Sequence, residues 1–147
     1  MSSRLLEADG WTLSAPGDED LRELMTWFPD AASVNRWGGP EFRFPFTPES
    51  FYEDCRIDVM RSFALHNPAG MFAAFGQTYE RNDRGHLARL IANPKLRRQG
   101  AGTRLVEMII ATLETQYDYD EYSLFVYRDN LPAYQCYLSL GFAVTDY

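Results

Sequence analysis

The segment from residue 86 to residue 116 constrains the fold most, because its character changes from β to α across one glycine turn. HLARLIANP (86–94) is largely apolar and predicts a strand over 86–92, and RRQGAGT (97–103) then places two glycines behind two arginines. Apolar side chains recur at helical spacing after the turn, which predicts an amphipathic helix over 102–116. A strand, a glycine turn and a helix in this order are typical of α/β proteins.

The other segments extend this pattern. Pro and Gly at high density predict a long aromatic loop over 29–48, after which Thr47 or Pro48 begins a helix that runs to about residue 59. The remaining predicted strands are 11–14, 62–66, 70–79, 123–127 and 142–144, and the remaining helices are 18–28 and 130–141. This order predicts a mixed α/β fold in one domain, 1–147, whose antiparallel meander feeds a crossover helix between parallel strands.

Composition excludes several classes of function. The net charge of −7 argues against a nucleic-acid partner, because affinity for phosphate backbones needs clustered Lys and Arg. Cys55 and Cys136 are too few and too far apart for a disulfide framework or a cysteine-based metal site, so we predict no metal. No apolar run reaches the ~18–20 residues that span a bilayer. We therefore expect a cytoplasmic protein without a membrane partner.

The glycine turn predicts an anion site, because a helix N-terminus presents unpaired backbone N–H groups at the positive end of its dipole. A phosphate-binding P-loop would require Gly-Lys-Ser/Thr, and this turn has no lysine. A dinucleotide fingerprint would need Gly or Ala where Leu105 stands. The pattern Q/R-x-x-G-x-G/A does fit, with Arg97, Gly100 and Gly102.

With this pattern the chain resembles the GNAT superfamily of acyl-CoA-dependent N-acyltransferases. HLARLIANP is similar to the central strand of that superfamily and the loop after it. LFVYRDNLPAYQCYLSLGF (124–142) resembles its second cofactor segment, V-x-x-x-N-x-x-A-x-x-x-Y-x-x-x-G-F. Six residues of that segment are in register: Val126, Asn130, Ala133, Tyr137, Gly141 and Phe142.

The resemblance implies a central, mostly antiparallel twisted sheet flanked by helices, with central strands that splay to form an acyl-CoA slot. It implies acetyl-CoA as co-substrate and direct transfer of the acetyl group to a primary amine, of a small molecule or a protein N-terminus, with Tyr137 as the general acid. Asn130 would contact the cofactor, cap its helix, or do both. The implied cofactor-binding residues are Leu90, Ile91, Ala92, Arg97, Arg98, Gln99, Gly100, Ala101, Gly102, Thr103 and Asn130.

The sequence leaves the base and the acceptor site open. His86 is the candidate base, with His66, Glu41 and Glu80 as alternatives to it. The aromatic loop RWGGPEFRFPF (36–46) either lines the acceptor pocket or fills the core beneath it, and its arginines are candidates to meet an acceptor carboxylate. The pocket candidates are Trp37, Phe42, Phe44 and Phe46, and the arginines are Arg36 and Arg43.

Two further expectations follow. A non-catalytic acyl-CoA-binding sensor or interaction module of the same fold is the alternative to the enzyme. The family continues with one more strand after the Gly-Phe pair, whereas the sequence stops at Tyr147. Either the sequence given lacks that strand, or the edge of the sheet is covered by the N-terminus or by a second subunit, because bare edges invite pairing; we expect a homodimer as one solution.

Overall fold

A six-stranded sheet forms the centre of the molecule, in the order β1-β2-β3-β4-β5-β6. The computed structural model describes residues 4–96, 98–127 and 129–145. Neighbouring strands from β1 to β5 are antiparallel, and β6 is parallel to β5. The strands are β1 Arg4–Ala8, β2 Trp11–Ser14, β3 Arg61–His66, β4 Phe72–Arg81, β5 Arg84–Ala92 and β6 Tyr122–Leu124.

The described residues form five helices, which cover the sheet and divide the core into two clusters. The first cluster joins the sheet to α4, and the aromatic-rich second cluster joins it to α1, α2 and α3. Because helices cover both faces, the central strand β4 is buried almost throughout. The helices are α1 Asp18–Met25, α2 Ala31–Gly38, α3 Pro48–Asp54, α4 Ala101–Gln116 and α5 Leu131–Ser139.

The predicted fold class is confirmed, and so are the meander, the long crossover helix and the parallel strand that follows it. The periodicity of 102–116 is that of α4, whose buried residues lie on one face. A helix is the usual connection between two parallel neighbouring strands. This connection places the N-terminus of α4 at the end of β5.

The sequence interpretation missed the first strand. β1 forms a hairpin with β2 through Asp9 and Gly10, both of which have left-handed backbones (φ 54° and 84°). Asp-Gly between two strands is a strong hairpin signal, because both central residues of a type I′ turn need positive φ. The apolar and acidic residues of β1 fit a helix equally well, and they masked that signal.

The predicted loop over 29–48 is wrong in its first part, which contains α2. Asp30 caps this helix by accepting a hydrogen bond from the Ser33 backbone N–H at 2.8 Å. α2 ends at Gly38, and the following Gly39 adopts φ 107°. Pro29 and the glycine pair thus bracket a short helix rather than prevent one.

Several boundaries also differ. α1 ends at Met25 instead of residue 28, because Thr26 turns its hydroxyl onto the Glu23 carbonyl at 2.6 Å, and α3 ends well before residue 59. β6 ends at Leu124 rather than residue 127, and 142–145 contains no strand. Phe142 instead folds back, with its N–H 3.0 Å from the Tyr137 carbonyl, so its ring contacts Tyr137 of α5 and the first core cluster without joining the sheet as a strand.

Candidate functional site

The candidate cofactor slot begins where β5 and β6 stop pairing. Their last paired residues are Leu87 and Leu124, whereas β5 continues to Ala92. Residues 88–92 thus keep an edge that no described strand of this sheet covers. This edge carries Leu90, Ile91 and Ala92, the predicted pantetheine-binding residues, and an extended ligand can pair with it as another strand would.

A β-bulge sets the direction of this edge. Phe75 pairs with Ile91 and Gln77 pairs with Ala88, so Arg89 and Leu90 together lie opposite the single residue Gly76. Leu90 packs directly on that glycine, where a Cβ atom would come within 2.7 Å of Leu90 Cδ2. Because a bulge bends its strand, it accounts for the divergence of β5 from β6.

The glycine turn lies at the end of this edge. Gly100 has φ 74°, and α4 begins at the next residue, with its first hydrogen bond from Arg104 N–H to the Gly100 carbonyl at 3.0 Å. The N–H groups of the first three helical residues have no partner within the helix. A Cβ atom on Gly100 or Gly102 would meet nothing within 4 Å, so the surface above both glycines is open.

The other residues of the turn differ in exposure. Arg98 and Gln99 are exposed, and Arg98 has a left-handed backbone with φ 65°. Ala101 is buried under the turn, and Thr103 is half-buried. The predicted Arg97 lies outside the described residues.

Helix α5 lies against the first turn of α4. Thr103 Oγ1 lies 3.1 Å from Cys136 Sγ, which joins the first turn of α4 to α5. The adjacent Tyr137 is half-buried, and burial together with Cys136 raises the pKa of Tyr137 to about 12. The phenol therefore stays protonated at neutral pH and can donate a proton.

Asn130 stands immediately before α5 but makes no capping hydrogen bond with its side chain. Its backbone carbonyl accepts from Tyr134 N–H at 3.0 Å, so the helix begins there without help from the amide. Of the two predicted roles, side-chain capping is therefore wrong. The half-buried amide retains its hydrogen-bonding capacity for a ligand.

The candidate bases lie in different environments. His86 is 2% exposed, its Nδ1 lies 2.8 Å from Ser123 Oγ, and burial together with Arg81 lowers the pKa of His86 to about 4. His66 lies 2.9 Å from the Asp20 carboxylate on α1, two strands away from β5. Glu80 is an exposed residue near the hairpin of β4 and β5.

The aromatic loop serves the core more than the surface. Trp37 and Phe46 pack in the second core cluster, and Phe42 is buried there at 6% exposure, whereas Phe44 is exposed at 37%. Trp37 also donates its indole N–H to the Arg89 carbonyl at 2.8 Å, which fixes the bulge of β5. The aromatic loop therefore stabilises the strand β5 that borders the slot.

A cavity of about 380 Å³ lies beside the bulge. It is lined by residues 38–42, by Glu53, Asp54 and Arg56 at the end of α3, and by Arg89. Of the predicted residues it includes Phe42 and Glu41. Sequence reasoning missed Arg89, although one cation inside the apolar run HLARLIA was the available signal.

The two predicted arginines are each engaged by carboxylates. Arg36 forms an ion pair with Asp129 and lies 4.4 Å from the centre of the Tyr127 ring, so it ties α2 to the segment between β6 and α5. Arg43 binds Asp54 at 2.9 Å and Glu53 at 3.3 Å. The two carboxylates that Arg43 binds, those of Asp54 and Glu53, both line the cavity.

Comparison with known proteins decides the family. The model of the Acetyltransferase (GNAT) family matches residues 23–142. The chain belongs to the GNAT acetyltransferase family. The matched residues include the glycine turn, the open strand edge and α5.

Solved structures agree with this assignment. The ribosomal-protein-S18-alanine N-acetyltransferase from Escherichia coli is 25% identical, with 92% of this chain and 79% of that chain covered and a TM-score of 0.66. The spermidine N-acetyltransferase from Vibrio cholerae, solved with CoA and spermine, is 19% identical, with 95% and 84% covered and a TM-score of 0.74. The glucosamine-6-phosphate N-acetyltransferase from Arabidopsis thaliana is 16% identical, with 93% and 94% covered and a TM-score of 0.58.

The described residues contain neither a group suited to a metal ion nor a helix suited to a membrane. Within 4–96, 98–127 and 129–145, no three His, Cys, Asp or Glu side chains are grouped closely enough to hold a metal ion. In the same part of the chain, no helix has both the length and the apolar character required to cross a bilayer.

Proposed function

We propose that this GNAT protein is an N-acetyltransferase that moves the acetyl group of acetyl-CoA directly to a primary amine. One observation carries the proposal. The uncovered edge of β5 leads to the open helix N-terminus of α4, so one continuous surface offers backbone pairing at one end and anion binding at the other. We further propose that residues 1–147 act as one cytoplasmic domain.

The residues present fit acetyl-CoA. Backbone groups of Leu90, Ile91 and Ala92 would pair with the amide-containing pantetheine arm. The free N–H groups at the start of α4 would hold the pyrophosphate, helped by Arg98 and by the absence of side chains on Gly100 and Gly102. Asn130 would contact the cofactor through its uncommitted amide. When bound, the thioester supplies an activated acetyl group.

The residues of the chain would act at two atoms of the reaction. A backbone N–H of the β5 edge would stabilise negative charge on the thioester oxygen, a contribution of about 3–4 kcal/mol for a well-placed donor. As the new N–C bond forms and the C–S bond breaks, the Tyr137 hydroxyl would donate its hydrogen bond, and then its proton, to the departing sulfur. Its pKa of about 12 keeps the phenol protonated at neutral pH, and because a thiolate of pKa about 8.5 is the weaker base, the phenolate left behind would take a proton back from solvent.

His86, the candidate acceptor of the proton that the amine must lose, is a weak base. His86 is neutral at pH 7, but its pKa of about 4 lies far below the value of about 10 for a typical amine. In the tautomer whose Nδ1–H donates to Ser123 Oγ, the atom that would accept a proton is Nε2. We propose that His86 acts through water, and that solvent takes the proton finally.

The weak base supports one alternative, a non-catalytic acyl-CoA-binding sensor or interaction module of the same fold. Such a protein needs the slot and the turn but neither the proton acceptor nor an acceptor pocket. The half-buried tyrosine beside the turn favours the enzyme, because ligand binding alone does not require a proton donor there.

The acceptor classes follow from the named neighbours, which act on a ribosomal protein, spermidine and glucosamine 6-phosphate. A thiol-release assay with acetyl-CoA against amines of these classes tests the enzyme. Tyr137→Phe serves as the matched variant. If acetyl-CoA binds but no amine raises thiol release above background, the sensor is supported instead.

A homodimer is part of the same proposal, and a spermidine N-acetyltransferase from Vibrio cholerae is described as dodecameric. Light scattering at micromolar concentration tests it. A monomer under those conditions would count against the dimer without affecting the proposed reaction.

A further inference from the structure

The cavity beside the bulge of β5 is lined by charged side chains, some of which form ion pairs and some of which do not. Glu53 and Asp54 are both bound by Arg43, which also holds the pKa of the Asp54 carboxyl below its usual value through their hydrogen bonds. The side chain of Arg56 forms no hydrogen bond or ion pair with any described residue, whereas its backbone is bonded within the turn after α3. Arg43 balances only one of the two carboxylate charges, so the cavity has no net positive charge, but the Arg56 guanidinium is a cation on this side with no bonded partner among the described residues.

Arg89 is the second cation of the cavity; its charge contributes to the lowered pKa of Asp54, but it forms no ion pair with a described carboxylate. Its guanidinium donates to the carbonyls of Cys55 at 2.9 Å and Gly38 at 3.0 Å, and to the side-chain oxygen of Gln77 at 3.2 Å. All three acceptors are neutral, and no carboxylate of the described residues lies within ion-pair distance. Arginine has five N–H donors, so donors remain for a ligand.

The backbone supports a functional role for both arginines. Arg56 and Arg89 have left-handed conformations, with φ 56° and 51°. Such conformations are unfavourable for long side chains and accumulate at functional sites. Among the described non-glycine residues, the others with positive φ are Asp and Asn, which tolerate it, and Arg98. Arg98 belongs to the turn proposed to bind pyrophosphate.

We infer that the amine acceptor also carries an anionic oxygen group, a carboxylate or a phosphate ester, and that Arg56 and Arg89 bind this group. The inference rests on the proposed function and specifies its substrate class. Glu41 lines the same cavity and bonds no described residue, so it is available to attract an ammonium group. A molecule with both charges matches the wall of the cavity.

The position of the cavity fits an acceptor site. Arg89 immediately precedes Leu90, so the cavity lies within about 3.3 Å of strand length of the proposed thioester-binding edge. The volume of about 380 Å³ suits a small molecule. An anionic group held at Arg56 and Arg89 would leave the amine end of the same molecule free to reach that edge.

Paired amines that differ in one charge test the inference. Alanine and alaninamide differ in the carboxylate, and glucosamine 6-phosphate and glucosamine differ in the phosphate, so the two pairs also distinguish the two sources of anionic oxygen. We expect kcat/KM to be at least about tenfold higher for the anionic member of one pair, because charge-assisted bonds are strong. Equal values within both pairs, or a preference for the neutral members or for spermidine, would overturn the inference.

A binding measurement separates this inference from the proposed reaction. Intrinsic tryptophan fluorescence, titrated with each pair in the presence of CoA, reports binding even where no acetylation occurs, because one of the three indoles, that of Trp37, donates to the Arg89 carbonyl. Tighter binding of an anionic member without turnover would support the inference and contradict the enzyme. Turnover of amines without a preference for the anionic members would support the enzyme and contradict the inference.

Arg56→Asn is the informative variant, because asparagine tolerates the left-handed backbone and Arg56 holds no other element in place. We expect KM or Kd for the preferred anionic amine to rise about five- to tenfold, while the values for its neutral counterpart stay unchanged. Arg22→Asn, which removes an exposed arginine of α1, is the matched control. An equal change for both amines, or no change for either, would contradict the inference.

Discussion

Thr103 Oγ1 and Cys136 Sγ lie 3.1 Å apart, and this contact places the first turn of α4 one residue away from Tyr137 on α5. A thiol so near the proposed site raises the question of covalent catalysis. Direct transfer needs no enzyme nucleophile, and the other cysteine, Cys55, is fully buried with a pKa of about 12 owing to that burial. We therefore expect neither thiol to become acetylated during turnover.

Cys136→Ser should retain kcat within about threefold, because the hydroxyl can keep the hydrogen bond to Thr103 and the thiol has no chemical role. Steady-state kinetics measure this, together with intact-mass spectrometry of wild-type protein mixed with acetyl-CoA. A loss of more than about a hundredfold, or an acetylated wild-type protein that disappears in the variant, would indicate a covalent route.

Gly102→Val should weaken CoA binding at least about tenfold without unfolding the protein. Open space surrounds the Cβ position of Gly102, so the valine side chain would occupy the surface where phosphate must approach. Calorimetry gives the affinity, and thermal melting gives the stability. Thr115→Val introduces the same side chain at an exposed site in the last turn of α4 and should leave affinity unchanged. Equal affinities for both variants and the wild type would exclude the turn as the pyrophosphate site.

Tyr137→Phe should lower kcat about a hundredfold or more, with CoA affinity nearly unchanged, because the variant loses the proton donor but keeps the packing of the ring. The raised pKa of Tyr137, about 12, keeps the donor protonated, so ionisation of this residue should cause no decrease in kcat up to about pH 10. A pH profile of kcat checks this. A decrease near pH 8 in the wild type that is absent from the variant would show that the pKa is ordinary or low.

Much of this arrangement was predictable because its signals are local. The spacing of Leu105, Ile109 and Leu113 predicts α4, and the β-forming runs on either side of short turns predict the meander. The elements that were missed depend on contacts between residues that are distant in the sequence. β1 exists because the partner strand β2 pairs with it, and β6 ends early because Phe125 leaves the sheet to contact His86.

The site was predictable to the extent that a backbone pattern marks it. Gly100 and Gly102 predict an open helix N-terminus from the local sequence alone. The role of Arg89 depends on carbonyls that lie 34 and 51 residues away in the sequence, and no local pattern records them. The lack of a capping bond from Asn130 is likewise visible only in three dimensions.

The His66–Asp20 pair should make stability depend on pH. The hydrogen bond to Asp20 raises the pKa of His66 above 6.5, and despite burial the bond to His66 lowers the pKa of Asp20 below 3.8. The histidine contribution is present below pH 6.5 and is lost as pH rises through the folded-state pKa of His66. The aspartate contribution is present above pH 3.8 and is lost on acidification. The pair therefore stabilises most between about pH 4 and 6.5.

His66→Gln should lower the free energy of unfolding by about 0.5–1 kcal/mol at pH 6 and by less at pH 8.5. Melting temperatures of both proteins across this range measure the difference, and Asp20→Asn should remove the same pH dependence. A gap between wild type and His66→Gln that widens from pH 6 to 8.5 would show that the histidine is stabilised in its neutral form.

The early end of the β5–β6 ladder also has a cost for the protein outside catalysis. Residues 88–92 offer a row of backbone donors and acceptors to any extended chain, including a misfolded copy of this one. A tightly held cofactor would occupy that row and stabilise the native state by mass action. If the concentration of CoA in a cell falls, we expect this protein to aggregate and be degraded before the supply of CoA limits the reaction rate.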